Sequence, residues 1–279
     1  MHCWFLIVST FTMASGLTTV QEFLSRECVK RSMHRSTKTP QCVLSFFYGV
    51  DFESVNDVSE KLEQGKALRE MSPLWFGSGG GEYDKSCTNF QGLVRLAGNK
   101  QLTAPEWQTS VDGLCAQLIL CDQLSRNAFR GTKEAFAYDD TALEYANILT
   151  NHIFKNDKDD NKTRMSLRGN VYPPYVSNII MALMHSEDIE NHSSALKLLS
   201  VAPNMSSSSS SSPPSDSSLQ QWWSNQKESE MEHKRVIDRF GRYPHRNKLK
   251  GRISTSEEEK WLADKENLPR WAKSQQESN

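Results

Sequence analysis

The chain has 279 residues, 37% of them hydrophobic and 24% charged, with a formal net charge of −1. That supports a buried core in one large domain or two small ones. It excludes a molecule built as a whole for nucleic acid, so any electropositive site is local. The six cysteines, Cys3, Cys28, Cys42, Cys87, Cys115 and Cys121, form no C-x-x-C pair and no zinc-finger spacing. They read as reduced thiols.

The N-terminus opens on an apolar run from Trp4 to Met13, followed by Ala14-Ser15-Gly16. The run is too short to cross a bilayer, and no Lys or Arg precedes it. Arg26, Lys30, Arg31, Arg35 and Lys38 then give a transit-peptide bias, against which Glu22 and Glu27 stand. Residues 1–40 are expected to be a mostly disordered leader. The compartment is then the cytoplasm, or an organelle interior reached through that leader. No membrane span is expected in the mature domain.

Order is expected from the apolar run Val43-Leu44-Ser45-Phe46-Phe47-Tyr48-Gly49. Residues 57–71 are polar and helix-prone. Trp75-Phe76-Gly77 and the glycines 79–81 read as a hinge. Cys87, Phe90, Leu93, Val94 and Ala97 make a helical stripe closed by Gly98. Thr103, Pro105 and Glu106 form a capping signal, and Trp107, Val111, Leu114, Leu118 and Cys121 continue at helical spacing. A further helix covers 139–150, and a charged loop covers 155–162. The run 179–184 reads as either strand or buried helix. Residues 203–218 are a Ser/Pro linker. The helix 228–240 has too little apolar surface to stand alone, so it must dock back on the first part. Gly241 ends it. Ser254-Thr255-Ser256 caps a short last helix through Trp261, and 269–279 is expected to be a tail. With no alternating run that demands a sheet, the fold class is all-α, stacked helical hairpins in a single domain spanning 41–268.

Four polar constellations stand out. Asp122-Gln123-Leu124-Ser125-Arg126-Asn127 carries Asp122 about 40° from Leu118 around a helix. An acid so near an apolar face is expected to pair with Arg126, one turn on, with Arg130 beside them. Such a pair either ties helices together or pre-orients an arginine. In His185-Ser186-Glu187-Asp188, Ser186 or Asp188 suits a helix cap. His185 and Glu187 suit proton transfer or metal ligation. His233 faces inward with Ile237 and Phe240, where a satisfied core histidine is the ordinary outcome. Finally, Phe240-Gly241-Arg242-Tyr243-Pro244-His245-Arg246-Asn247, closed by Gly251-Arg252, fixes arginine, histidine and asparagine side chains on a constrained turn. The helix start behind it suits an anion. Absent are a phosphate-binding Gly loop with Lys, a nucleophile elbow and a dinucleotide fingerprint, so no cofactor is expected.

These segments, in this order, resemble the DUF924 family of uncharacterised proteins with a TPR-like all-helical fold. The match includes 43–49, Trp75-Phe76-Gly77, Asp84, Phe90, 120–127, Phe129-Arg130-Gly131 and 135–137. It continues through 185–188, His233, 240–247, 251–255 and Glu257-Glu258. The family pattern has Asp where Ser45 stands and Pro at Ser125 and Ala182. It has Asp-Gln at Asn191-His192 and Leu at Lys250. The resemblance implies a fold and no reaction.

The expected function is one polar pocket for a small anionic molecule, a phosphate ester or a carboxylate. Asp122, Gln123, Arg126, Asn127, Arg130, Asp188, His233, Arg242, Arg246, Asn247 and Arg252 would line it. His185, Glu187 and His245 are the candidate catalytic groups. The rival reading is a helical module that docks a peptide, its polar motifs serving only as clamps. A third is a metal site on His185, His233 and His245.

Overall fold

Every regular element among the described residues of the computed structural model is helical, and a single isolated bridge joins Ser110 to Arg168. Those residues are 19–76, 81–154, 167–205 and 217–273. In chain order the helices are α1 Val20–Ser25, α2 Glu27–His34, α3 Pro40–Tyr48, α4 Val55–Asp57, α5 Lys66–Trp75, α6 Glu82–Cys87 and α7 Gln91–Gly98. Then come α8 Pro105–Gln108, α9 Val111–Ile119, α10 Ser125–Ala128, α11 Asp139–Ile153, α12 Pro173–Met184 and α13 Ile189–Val201. The series ends with α14 Ser217–Phe240, α15 Ser256–Ala263 and α16 Arg270–Lys273. No helix among the described residues is long and apolar enough to cross a membrane.

The main core lies where α3, α9, α11, α12 and α13 pack, around Phe46, Tyr48, Leu118, Ile119, Leu149, Ile179 and Leu198. The run 179–184 is buried helix, the longer of its two options. The helix expected over 228–240 starts earlier, at Ser217, and Leu219, Trp222 and Trp223 of that added first half are what seat α14 in the core. A smaller cluster of Val236, Ile237 and Tyr243, with Phe240, Trp261 and Trp271, sits at its other end.

Three further boundaries differ from expectation. Helical structure begins at Val20, ahead of Val43. Thr19 and Glu22 form a reciprocal capping box, and Phe23 is fully buried edge-on to Phe46 at 5.4 Å. Of the basic residues in this stretch, Lys30 and Arg31 lie in α2, Arg26 joins α1 to α2, and Arg35 and Lys38 follow α2. The helix expected from Thr103 to Cys121 breaks after Gln108 and restarts at Val111, where the Ser110 hydroxyl accepts from Gly113 N at 2.9 Å. Gly113 makes the break pack. A Cβ there would meet the Glu106 carbonyl oxygen at 2.2 Å. The expected tail contains α16, whose Ala272 is fully buried. The stretch 1–18, the glycines 79–80, the charged loop 155–162, the linker between 206 and 216 and the end 274–279 lie outside the described residues. The five described cysteines are free and buried.

Candidate functional site

α9 runs into a π-helical turn, Leu120–Leu124, before α10 resumes the α-helical pitch. The wider turn carries Asp122, with a side chain 1% exposed. Its Oδ1 accepts from His185 Nδ1 at 2.7 Å and from Arg126 Nη2 at 3.3 Å, and its Oδ2 accepts from Gln123 Nε2. Burial opposes its ionisation. The His185 ring, Arg126 and Gln123 overcome that and hold the carboxyl down at about 2. His185 stands at the end of α12, on the far side of this acid in sequence. The expected Asp122–Arg126 pair is therefore present, and it is tied to the second constellation.

Arg126 has a nearer acid. Its Nη1 donates to Asp139 Oδ1 at 2.7 Å and to the Ala135 carbonyl. Asp139 opens α11, and its Oδ2 accepts from Arg246 Nη1 at 3.2 Å. The same Nη1 donates to the His185 carbonyl at 2.9 Å. Both guanidiniums lie over the Phe136 ring, at 4.6 and 5.2 Å. Arg246 is 3% exposed, and burial pushes its pKa below the usual arginine range. Its Nε is a buried donor with no acceptor among the described residues.

The other predicted residues form clamps around this centre. Glu187 takes both ends of the Arg252 guanidinium, at 2.6 and 2.9 Å, and accepts from Tyr243 N at 2.9 Å. Burial raises its pKa less than Arg252 and the Tyr243 amide lower it, so it is held as an anion and is poorly placed as a free base. Arg242 makes a bidentate pair with Glu258, which also accepts from Asn247 and closes the α15 capping box on Thr255. Asn127 and Arg130 point to Asp84 of α6, at 2.7 and 2.6 Å. Asp188 caps α13 through its contact with Glu190 N at 3.0 Å.

The histidines divide. His233 Nδ1 donates to the Ser229 carbonyl at 2.8 Å, and burial pushes its pKa well below normal. It is a neutral ring stacked on Trp271 at 4.0 Å, with the His185 ring 6.3 Å away. His245 meets the edge of Trp271 at 5.1 Å. Among the described residues no group of three His, Cys, Asp or Glu side chains could hold a metal.

His192 and Glu230, both fully buried, form a separate pair at 2.7 Å, and His192 Nε2 donates to the Ser186 carbonyl at 3.0 Å. One proton must therefore be shared between Nδ1 and the carboxyl. Burial raises the Glu230 pKa against the pull of His192. A raised carboxyl contributes stability below its unfolded value and loses it as pH climbs. Glu230→Gln, whose amide can donate to a neutral His192 ring, is therefore expected to melt at or above wild type at pH 7. A melting curve several degrees lower would contradict this.

Sequence reasoning missed Asp139, the role of Glu258 as a partner for Arg242, and Trp271. Asp139 lay two residues beyond Phe136-Ala137 at a helix start, where an acid reads as a dipole partner. Its signal was an arginine count in excess of the acids assigned to them.

The match to the family model described as "Bacterial protein of unknown function (DUF924)" spans residues 25–266, so α16 falls beyond it. A solved structure, that of the protein of unknown function ATU0120 from Agrobacterium tumefaciens, is 22% identical. It covers 68% of this chain and 88% of its own, with a TM-score of 0.47. No curated protein matches. With almost the whole described fold inside the family model, the chain belongs to the DUF924 family.

Proposed function

We propose that the layer between Asp122, Asp139, His185 and Arg246 binds a small anionic molecule, a phosphate ester or carboxylate, and that His185 moves a proton on it. One observation carries the reading. A buried, ionised Asp122 fixes His185 Nδ1 as a donor, while Nε2 carries no hydrogen bond among the described residues, on a side chain 21% exposed. An acid behind an imidazole sets the tautomer and leaves the outer nitrogen as a base. The paired arginines beside it supply charge-assisted donors for an oxyanion, and Arg246 Nε is one without an acceptor.

Thermal melting with orthophosphate and with citrate tests this. A ligand at a hundredfold over its Kd adds about 2.7 kcal/mol, or roughly 5–10 °C for a domain of this size. Wild type is expected to shift and Arg246→Ala is not, whatever its own starting temperature. His185→Gln is expected to retain most of the shift, because it removes the base and spares the guanidiniums. The peptide-docking reading predicts no shift in wild type from either anion. No shift with either anion, or equal shifts in wild type and Arg246→Ala, would sink the proposal.

A further inference from the structure

We propose that the cleft between α2 and α3 is a second small-molecule site, taking a ligand with an oxyanion group against Arg35 and Ser45 and presenting the Cys42 thiol to it. The cleft opens to solvent, has a cavity volume of about 80 Å³, and is lined by Cys28, Arg31, Arg35, Cys42 and Ser45 together with the acids Asp51 and Glu53. None of these residues belongs to the polar layer described above, so the two readings stand or fall separately.

Ser45 carries the argument. It is 7% exposed, it lines the cleft, and its hydroxyl has no partner among the described residues. A buried helical serine ordinarily satisfies itself on the carbonyl four residues back. Ser32, on the facing helix, does so, donating to the Cys28 carbonyl at 2.7 Å. A hydroxyl left open on a cleft wall is set for a partner from outside the chain.

Charge supports the same conclusion. Arg31 is occupied by Asp51 and Glu53 at 3.0 and 2.8 Å. Arg35 has no carboxylate among the described residues. The residue is exposed, and the one hydrogen bond of its side chain runs from Nη1 to Cys42 Sγ at 3.9 Å. The remaining guanidinium donors are open to a carboxylate or phosphate. Cys42 is the third residue of α3, and its sulfur also accepts from the Thr39 hydroxyl at 3.4 Å. The lone pairs of the sulfur thus lie beside the one cleft cation without an acid.

Alkylation of the full chain reads this out, with the modified cysteine located by peptide mass spectrometry. In each reaction the Cys42 thiolate attacks the reagent's methylene carbon. The C–S bond forms, iodide leaves, and the thiol proton goes to solvent. Iodoacetate carries the carboxylate that Arg35 should hold, and iodoacetamide is its neutral control. The iodoacetate-to-iodoacetamide rate ratio at Cys42 is expected to exceed that of the urea-unfolded chain by about tenfold, in line with one charge-assisted hydrogen bond. Arg35→Gln is expected to return the ratio to the unfolded value, and Ser45→Ala to reduce it. Orthophosphate is expected to slow iodoacetate, which extends the site from carboxylates to phosphates. If orthophosphate has no effect, the oxyanion class proposed is wrong. A folded ratio equal to that of Arg35→Gln, modification of Cys28 in place of Cys42, or no modification of folded Cys42 by either reagent would each overturn the site.

Discussion

Replacing Asp139 with alanine is expected to lower the unfolding free energy by about 3–5 kcal/mol, the cost of stranding a buried charge. The side chain is 11% exposed and serves two guanidiniums at once, Arg126 through Oδ1 and Arg246 through Oδ2. Arg126 would keep Asp122. Arg246, almost fully buried, would keep the His185 carbonyl and two aromatic faces, with no acid within ion-pair distance. Burial already works against its charge, so the loss falls mainly there. Urea unfolding at pH 7 measures the loss, and a double-mutant cycle assigns it. Arg246→Met placed on Asp139→Ala should recover part of the stability, because it removes the stranded cation. If the two single losses simply add, the cost lies in packing and this account of Asp139 is wrong.

Much of the helical frame was legible because it rests on periodic burial. Leu114, Leu118 and Cys121 repeat at helical spacing, and α9 with its π-helical turn buries all three. Gly241 ends α14 with a φ of 65°, the left-handed geometry for which glycine is suited. Thr255 caps α15 as its sequence requires. What the pattern concealed depends on contacts distant in sequence. Phe23 reads as one apolar residue in a basic stretch until Phe46 and Tyr83 close over it. Trp271 reads as part of a tail until His233 lies beneath it. The candidate site divides the same way. Asp122 with Arg126 is local, and helical geometry predicts it. Asp139 with Arg246 spans 107 residues, and no local rule reaches that far. The convergence of the His185 turn with the Arg246 turn was expected. Which acids would hold Arg130 and Arg242 was not, because Asp84 and Glu258 carried no assigned role. Arg130, Arg242 and Arg252 tie elements together, so the proposed chemistry is confined to the His185 neighbourhood.

Lowering pH should remove stability in two stages, and Asp122 should dominate the second. The first stage belongs to His233. Burial holds its folded pKa well below 6.5, so the unfolded chain binds a proton first and stability declines as pH falls through that value. The second runs from about pH 4 to pH 2. The Asp122 carboxyl is held at about 2 against an unfolded 3.8. A depressed carboxyl contributes its full share above the unfolded value and loses it as pH falls to the folded one. At 1.36 kcal/mol for each pKa unit, that share is about 2 kcal/mol. Glu258, also pulled down to about 2 by Arg242, adds in the same direction, less strongly because Arg242 remains partly in solvent. Asp122→Asn keeps the shape and removes the charge. Its stability should lie about 2 kcal/mol below wild type at pH 7 and converge on wild type near pH 2. Chemical unfolding from pH 7 to pH 2 follows both curves. A gap that stays constant with pH would mean that Asp122 acts through packing. The role as a base proposed for His185 would then lose the ionised partner on which it depends.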